Sequence, residues 1–166
     1  MNHSISRAQF LRGDVSGTRS HIRPPWSKAE YDFRALCSRC GDCITACGEQ
    51  IIQKDKQGFP EINFKHGACT FCQDCVNTCK TNALQQTNNK PPWQLKAVIQ
   101  DHCLPYKKVV CGRCREECEI EAISLRLLVG GVGIPQIDTE SCTGCGACIR
   151  VCPVSAIALQ QRGDAA

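Results

Sequence analysis

The chain has 166 residues, of which 16 are Cys and only 9 are Phe, Trp or Tyr. The 42% apolar fraction counts those thiols, so about a third of the chain is left for a conventional core; a fold held by apolar packing alone is excluded, and disulfides or metal must supplement it. A formal charge of +4, from 20 basic and 16 acidic residues, is too mild to point to nucleic acid.

In chain order, residues 1–26 read as a basic, flexible N-terminal arm. Over residues 1–30 five basic side chains (Arg7, Arg12, Arg19, Arg23, Lys28) stand against Asp14 and Glu30, which leaves only +1 for residues 31–166. The arm has no apolar stretch of about 7–15 residues to serve as an export signal. Ser6-Arg7-Ala8-Gln9-Phe10-Leu11-Arg12 has the outline of a twin-arginine motif, but Ala8 stands where the second Arg belongs and no hydrophobic region follows. The longest apolar run, residues 127–134, falls short of the ~18 residues of a spanning helix and contains three Gly. The expectation is a cytoplasmic chain without a membrane span. Its thiols stay reduced there, and metal is their expected partner.

Ser27-Lys28-Ala29-Glu30 predicts a capping box, followed by Ala29, Phe33 and Leu36 on one helical face and a Glu30/Arg34 pair. This helix leads into Cys37, Cys40, Cys43 and Cys47, spaced Cys-x2-Cys-x2-Cys-x3-Cys. Residues 60–64 predict a strand into the second quartet, Cys69, Cys72, Cys75 and Cys79, with the same spacing. The third, Cys103, Cys111, Cys114 and Cys118, stretches its first interval from two residues to seven. Residues 134–138 predict a strand into the fourth, Cys142, Cys145, Cys148 and Cys152, again regular. After each quartet comes a polar turn and an apolar pair (Ile51-Ile52, Ala83-Leu84, Ala122-Ile123, Ala156-Ile157) that reads as the return strand of a small hairpin. Gly130-Gly131-Val132-Gly133 lacks the pattern of a nucleotide loop and reads as a hairpin turn.

A longer repeat overlies the quartets. Arg23-Pro24-Pro25-Trp26 and Lys90-Pro91-Pro92-Trp93 place their Trp 67 residues apart, while Cys37 and Cys103 lie 66 apart. A two-quartet unit has been duplicated, with quartet one matching three and two matching four. The predicted organisation is an arm (1–26), two ferredoxin-like units (27–88 and 89–160) and a tail (161–166). The fold class is α+β: two tandem bacterial-type dicluster ferredoxin-like units, small and loop-rich, built around [4Fe-4S] clusters.

Three closely spaced thiols wrap one compact object, and a cubane iron–sulfur cluster suits them, its fourth iron taking a distant thiolate. In the bacterial ferredoxin arrangement of this spacing, the last Cys of each run serves the other run's cluster. Sequential pairing then gives four sets: Cys37, Cys40, Cys43 and Cys79; Cys69, Cys72, Cys75 and Cys47; Cys103, Cys111, Cys114 and Cys152; Cys142, Cys145, Cys148 and Cys118. All sixteen are cofactor ligands in this reading. Zinc is the competing metal, but its structural sites use two separated Cys-x2–4-Cys knuckles. The four His (His3, His21, His66, His102) hold no fixed spacing to the cysteines, although His66 and His102 sit near Cys69 and Cys103. Without a flavin, nicotinamide or substrate-pocket signature, the chain is expected to turn nothing over by itself.

The N-terminal Ser-Arg and basic arm, the segment Ile22-Arg23-Pro24-Pro25-Trp26-Ser27, and four quartets with a stretched third resemble the NapF family of ferredoxin-type accessory proteins of periplasmic nitrate reductase systems. The resemblance spans essentially the whole chain. It implies a cytoplasmic protein with four [4Fe-4S] clusters. Such a protein binds the unexported molybdenum-containing catalytic subunit and assists its maturation by cluster assembly, with other redox or cluster-assembly proteins as further partners. A multi-cluster ferredoxin or electron-transfer subunit is the alternative. In four-cluster subunits of related molybdenum enzymes the quartets pair first with fourth and second with third, so the pairing stays open at this point. With clusters loaded, each contributes about −2, and the chain becomes an acidic body of about −7 carrying a +3 arm.

Overall fold

Short elements are all that the cysteine spacing leaves room for. In the computed structural model, which describes residues 21–87, 91–128 and 130–161, the order is α1 (Glu30–Leu36), α2 (Asp42–Ala46), β1 (Ile52–Lys54), β2 (Pro60–Ile62), α3 (Asp74–Asn77), β3 (Leu95–Ile99), a 3-10 turn (Leu104–Lys107), α4 (Arg113–Glu116), β4 (Ile123–Leu127), β5 (Gly133–Ile137), α5 (Ala147–Arg150) and β6 (Ile157–Gln161). The strands form three antiparallel pairs, β1 with β2, β3 with β6 and β4 with β5. Among the described residues no helix is long and apolar enough to cross a membrane.

Two halves repeat one plan, a central hairpin and a pairing of the half's two ends. In the first half β1–β2 is the hairpin, with Ile52 opposite Ile62, and a single bridge joins Ser27 to Leu84. In the second, β4–β5 is the hairpin, with Ile123 opposite Ile137, and β3–β6 closes the ends, with Ile99 opposite Ile157. The four apolar pairs therefore divide in their roles. Ile51-Ile52 and Ala122-Ile123 open hairpins with the strand that follows, whereas Ala83-Leu84 and Ala156-Ile157 return to the beginning of their own half. Strand β3 escaped the sequence reading because Val98 interrupts the apolar–polar alternation of Leu95, Lys96 and Ala97.

The second strand ends at Ile62 rather than Phe64 because Asn63 turns the chain: its N–H donates to the Ile51 carbonyl and its side-chain oxygen accepts from the Lys65 N–H. Asp138 repeats the device, donating to the Ala122 carbonyl and accepting from the Glu140 N–H and the Ser141 hydroxyl. These are Asx turns, which compete with strand continuation. The Gly130-Gly131 loop closes β4–β5 with φ of +103° and +82°, as the hairpin reading requires.

The expected capping box does not form. Helix α1 begins at Glu30 with Ala29 as its uncapped N-cap; the Ser27 hydroxyl donates instead to the Pro24 carbonyl (2.6 Å), and Glu30 is drawn to Arg23 (2.7 Å). The Glu30/Arg34 pair is present at 3.7 Å. On the helix face Phe33 is fully buried, but Leu36 is exposed.

Residues 23–26, read from the sequence as the end of a flexible arm, are packed against the fold. Residues 1–20 lie outside the described residues, as does 162–166 of the tail, but Arg23, Pro24, Pro25 and Trp26 are buried. Arg23 reaches Asp55 (3.0 Å), Glu30 and the Pro60 carbonyl, and its guanidinium lies 5.2 Å from the Phe33 ring centre. Asp55 also accepts the N–H groups of Gln57 and Phe59, so one ion pair fastens the arm's end to the β1–β2 loop. Around it lies the first core, Phe33, Ile51, Phe59, Phe64, Ala83 and Leu84 with Cys43 and Cys75; the second holds Ala97, Ala122, Ile123 and Ile157 with Cys142 and Cys148. Ile149 and Leu159 border both, joining the halves into one packed body.

Burial raises the Asp55 carboxyl, but the Arg23 hydrogen bond and two backbone N–H donors more than offset it, so its pKa falls below 3.8. That stabilisation is present above the ordinary carboxylate range and is lost only as pH falls through the depressed folded value. Because the Asp55 side chain is 2% exposed and Glu30 is 49% exposed, the two partners of Arg23 are unequal. Asp55→Asn is expected to lower stability by about 3 kcal/mol and Glu30→Gln by less than about 1 kcal/mol, both read from urea midpoints under anaerobic conditions.

Candidate metal centres

Each quartet is shaped by backbone turns that the small helices complete. In the regular quartets the second residue after the first Cys and the first after the second Cys are both left-handed: Arg39 and Gly41, Phe71 and Gln73, Gly144 and Gly146, with φ from +56° to +91°. A one-turn helix then starts, and the third Cys is its second residue: Cys43 in α2, Cys75 in α3, Cys114 in α4 and Cys148 in α5. The last Cys closes that turn, its N–H donating to the carbonyl three residues back, at Ile44, Val76, Arg115 and Ile149. Three residues further on, Gln50, Asn82, Glu121 and Ser155 are again left-handed and donate to that Cys carbonyl. The stretched third quartet differs only at its front. There Gly112 has φ −140°, and the 3-10 turn with left-handed Lys108 spans the long interval.

Four cavities result, each lined by three cysteines of one quartet and the last cysteine of its partner. Cys37, Cys40 and Cys43 meet Cys79 around about 160 Å³; Cys69, Cys72 and Cys75 meet Cys47 around about 240 Å³. In the second half Cys103, Cys111 and Cys114 meet Cys152, and Cys142, Cys145 and Cys148 meet Cys118, around tighter spaces of about 20 Å³ each. The thiols are thus gathered first quartet with second and third with fourth, not interleaved. We call these groups A, B, C and D in the order just given.

Six of the thiols, Cys43, Cys69, Cys75, Cys103, Cys114 and Cys148, resist ionisation. Burial first, and then the neighbouring sulfurs, push Cys43, Cys75 and Cys148 up to about 12, and Cys69 and Cys114 to about 11. Backbone N–H groups work the other way, Phe71 on Cys69 and Arg115 on Cys114. Two further amides donate to last-position sulfurs, Leu84 to Cys79 (3.4 Å) and Ala156 to Cys152 (3.1 Å). This donor set fits an iron–sulfur group. Four soft thiols converge, amides face the sulfurs, and the charge of bound iron would supply what the buried thiols lack to ionise.

Of the two neighbouring His, His66 is exposed, and His102 is exposed with its ring nitrogen 3.1 Å from the Val154 carbonyl. Sequence reasoning missed the contacts that press group B against group D. The Cys69 N–H donates to the Cys145 carbonyl (2.8 Å) and the Trp93 indole N–H to the Thr143 carbonyl (2.8 Å). A Cβ on Gly146 would overlap the Phe64 ring. The duplicated Pro-Pro-Trp string was the available signal: the Trp26 N–H donates to the Pro92 carbonyl, and Trp26 and Trp93 flank Phe71 with ring centres 6.4 and 5.5 Å away.

Thiols with raised folded pKa values stabilise the metal-free fold below their ordinary value of 9.0 and lose that contribution as pH rises toward about 12. The metal-free chain is therefore expected to unfold progressively above pH 9, followed by circular dichroism, while iron and sulfide uptake at constant protein concentration improves as pH rises from about 6 to 9. Uptake that weakens over that range would contradict the assignment.

The model of the 4Fe-4S dicluster domain matches residues 36–83, and that of the 4Fe-4S binding domain matches residues 135–158. Among curated proteins, the chain is 39% identical to the ferredoxin-type protein NapF of Escherichia coli K12 over 95% of both chains, and 41% identical to that of Haemophilus influenzae over 94% of both. It is 35% identical to the methylamine utilization ferredoxin-type protein MauM of Methylobacillus flagellatus, over 95% of this chain and 74% of that one. With its quartets, its folded halves and near full-length similarity in agreement, the chain belongs to the NapF family of ferredoxin-type iron–sulfur proteins.

Proposed function

We propose that the chain is a cytoplasmic accessory protein that holds four [4Fe-4S] clusters, binds the unexported molybdenum-containing catalytic subunit of a periplasmic nitrate reductase, and assists that subunit's cluster assembly. It catalyses no turnover of its own. The observation that carries this reading is similarity to NapF proteins over about 95% of the chain, with all sixteen thiols gathered into four sets of four. In it, groups A to D hold one cluster each. A bound cluster would supply one-electron chemistry; the chain's own residues fix where and how tightly it is held. The left-handed turns point three sulfurs inward, the crossing Cys47, Cys79, Cys118 and Cys152 bind each half's two sites to one another, and the amides of Leu84 and Ala156 stabilise negative charge on Cys79 and Cys152.

Docking of the precursor is assigned to residues 1–20, where Arg7, Arg12 and Arg19 lie. The burial of Arg23 to Trp26 decides how this is tested, because removing residue 26 and all before it would also remove the Arg23–Asp55 pair. A chain lacking residues 1–20 is expected to keep its iron and sulfide, about sixteen of each per chain, and to lose the precursor in an anaerobic pull-down from cytoplasm. Undiminished capture and enzyme maturation by the shortened chain would count against the arm. Capture of no signal-bearing precursor by the intact chain would count against the function.

A further inference from the structure

We propose that the two halves divide the work: groups A and B of the first half hold exchangeable clusters that the chain hands on as cargo, while groups C and D of the second half hold permanent ones. The proposal deepens the reading that the chain assists cluster assembly, and it rests on that reading for the presence of clusters at all. The transfer conserves atoms and electrons. Four iron–thiolate bonds to this chain break, and four form to a metal-free protein that offers its own cysteines; the cargo keeps its 2+ charge, and the protons that the acceptor thiols give up are taken by the thiolates left behind. No oxidant or reductant is needed.

Because the halves are copies of one plan, corresponding positions can be compared directly. The second Cys is exposed in group A (Cys40) and group B (Cys72), but half-buried in group C (Cys111) and group D (Cys145). The first Cys is half-buried in A and B (Cys37, Cys69) and buried in C and D (Cys103, Cys142). Spacing does not cause this, since quartet four repeats the spacing of quartets one and two. The space among the thiols divides in the same way, about 160 and 240 Å³ in A and B against about 20 Å³ in each of C and D.

The walls account for the difference. Beside their apolar residues, group A is bordered by Ser38, Arg39, Asp42, Lys80 and Thr81, and group B by Glu49, Thr70, Gln73 and Asp74. Around C and D the described residues contribute one polar side chain each besides the thiols, Arg113 and Thr143. Apolar walls keep water and competing ligands from iron–sulfur bonds, and polar ones admit them. The backbone works in the same direction. A five-residue ladder, β3–β6, closes the second half, whereas a single bridge, Ser27 with Leu84, closes the first. A single bridge opens locally at lower cost than a ladder. Leu84 also donates its N–H to Cys79, the crossing thiol of group A, so opening that bridge loosens the group directly. The arm is rooted on this half as well: the Ile62 N–H donates to the Ile22 carbonyl, and Arg23 pairs with Asp55. A partner held by residues 1–20 is therefore held beside the accessible groups.

The test uses the full chain, loaded anaerobically, its iron measured, and mixed with an excess of a metal-free [4Fe-4S] ferredoxin as acceptor. Iodoacetamide added at intervals labels the thiols set free; the two proteins are then separated, analysed for iron and mapped by mass spectrometry. About half of the chain's ~16 irons are expected to move, at least ~10-fold faster than the rest. The label should then lie on quartets one and two, with quartets three and four unlabelled. Equal rates with label on all four quartets, earlier release from groups C and D, or no transfer would each overturn the division. A chain that takes up no iron, or holds zinc, would instead overturn the cluster reading, and the iron content measured before mixing tells the two failures apart.

Discussion

Everything in this structure depends on the crossing of the fourth cysteine. Cys47 leaves quartet one to complete the site of quartet two, and Cys79 returns the exchange; Cys118 and Cys152 do the same in the second half. A site that draws on both quartets cannot form until the chain between them has folded back, so the central hairpin and the end-to-end pairing are conditions of the thiol geometry. The apolar side chains are few, and most of them serve this purpose. Ile52 faces Ile62 and Ile123 faces Ile137, pinning the two hairpins whose ends carry the cysteine loops. Cys43, Cys75, Cys142 and Cys148 are themselves members of the cores. Quartet thiol and core residue are here the same residue, which is how about a third of a chain in ordinary apolar side chains suffices.

The local chemistry was legible in the sequence because it is local. Spacing alone brings three sulfurs together, and the one-turn helix that carries Cys43, Cys75, Cys114 and Cys148 is built from residues next to them in sequence. The Gly130-Gly131 turn and the start of the second hairpin at Ile123 were open to the same kind of reading. Pairing was different. Sequential and interleaved schemes use identical spacings, and only the fold chooses between them, through the separate closure of each half by Ser27–Leu84 and by β3–β6.

What escaped the sequence was contact between segments far apart. Arg23 looked like one more basic residue of a polar arm, because nothing near it in sequence announces Asp55, 32 residues on, or the rings of Phe33 and Phe59. Its guanidinium needs both the carboxylate and the aromatic faces to be buried at tolerable cost, and once they are present Pro24, Pro25 and Trp26 follow it inside. The same side chain explains the failed capping box. Glu30 would have reached back to its own helix terminus, but a buried cation seven residues earlier is the stronger partner, and Ser27 is left to the Pro24 carbonyl.

Charge ties the thiols to the rest. The +4 of the bare sequence counts every thiol as neutral, and the fold enforces that count, since burial and crowding hold the innermost thiols up to about 12. A site that holds its innermost thiols protonated in the free chain does not select thiolates by itself; it favours a bound group positive enough to displace those protons. Crowding makes that requirement collective, because the first sulfur to ionise raises the cost for the next until positive charge is shared among them. The crossed pairs extend it from one site to two: Cys75 bears on Cys43 and Cys114 on Cys148, so charge settled at one group eases or hinders its neighbour. Through Cys69 and Cys145 the same dependence reaches from one half to the other, and the four groups respond to charge as one connected body.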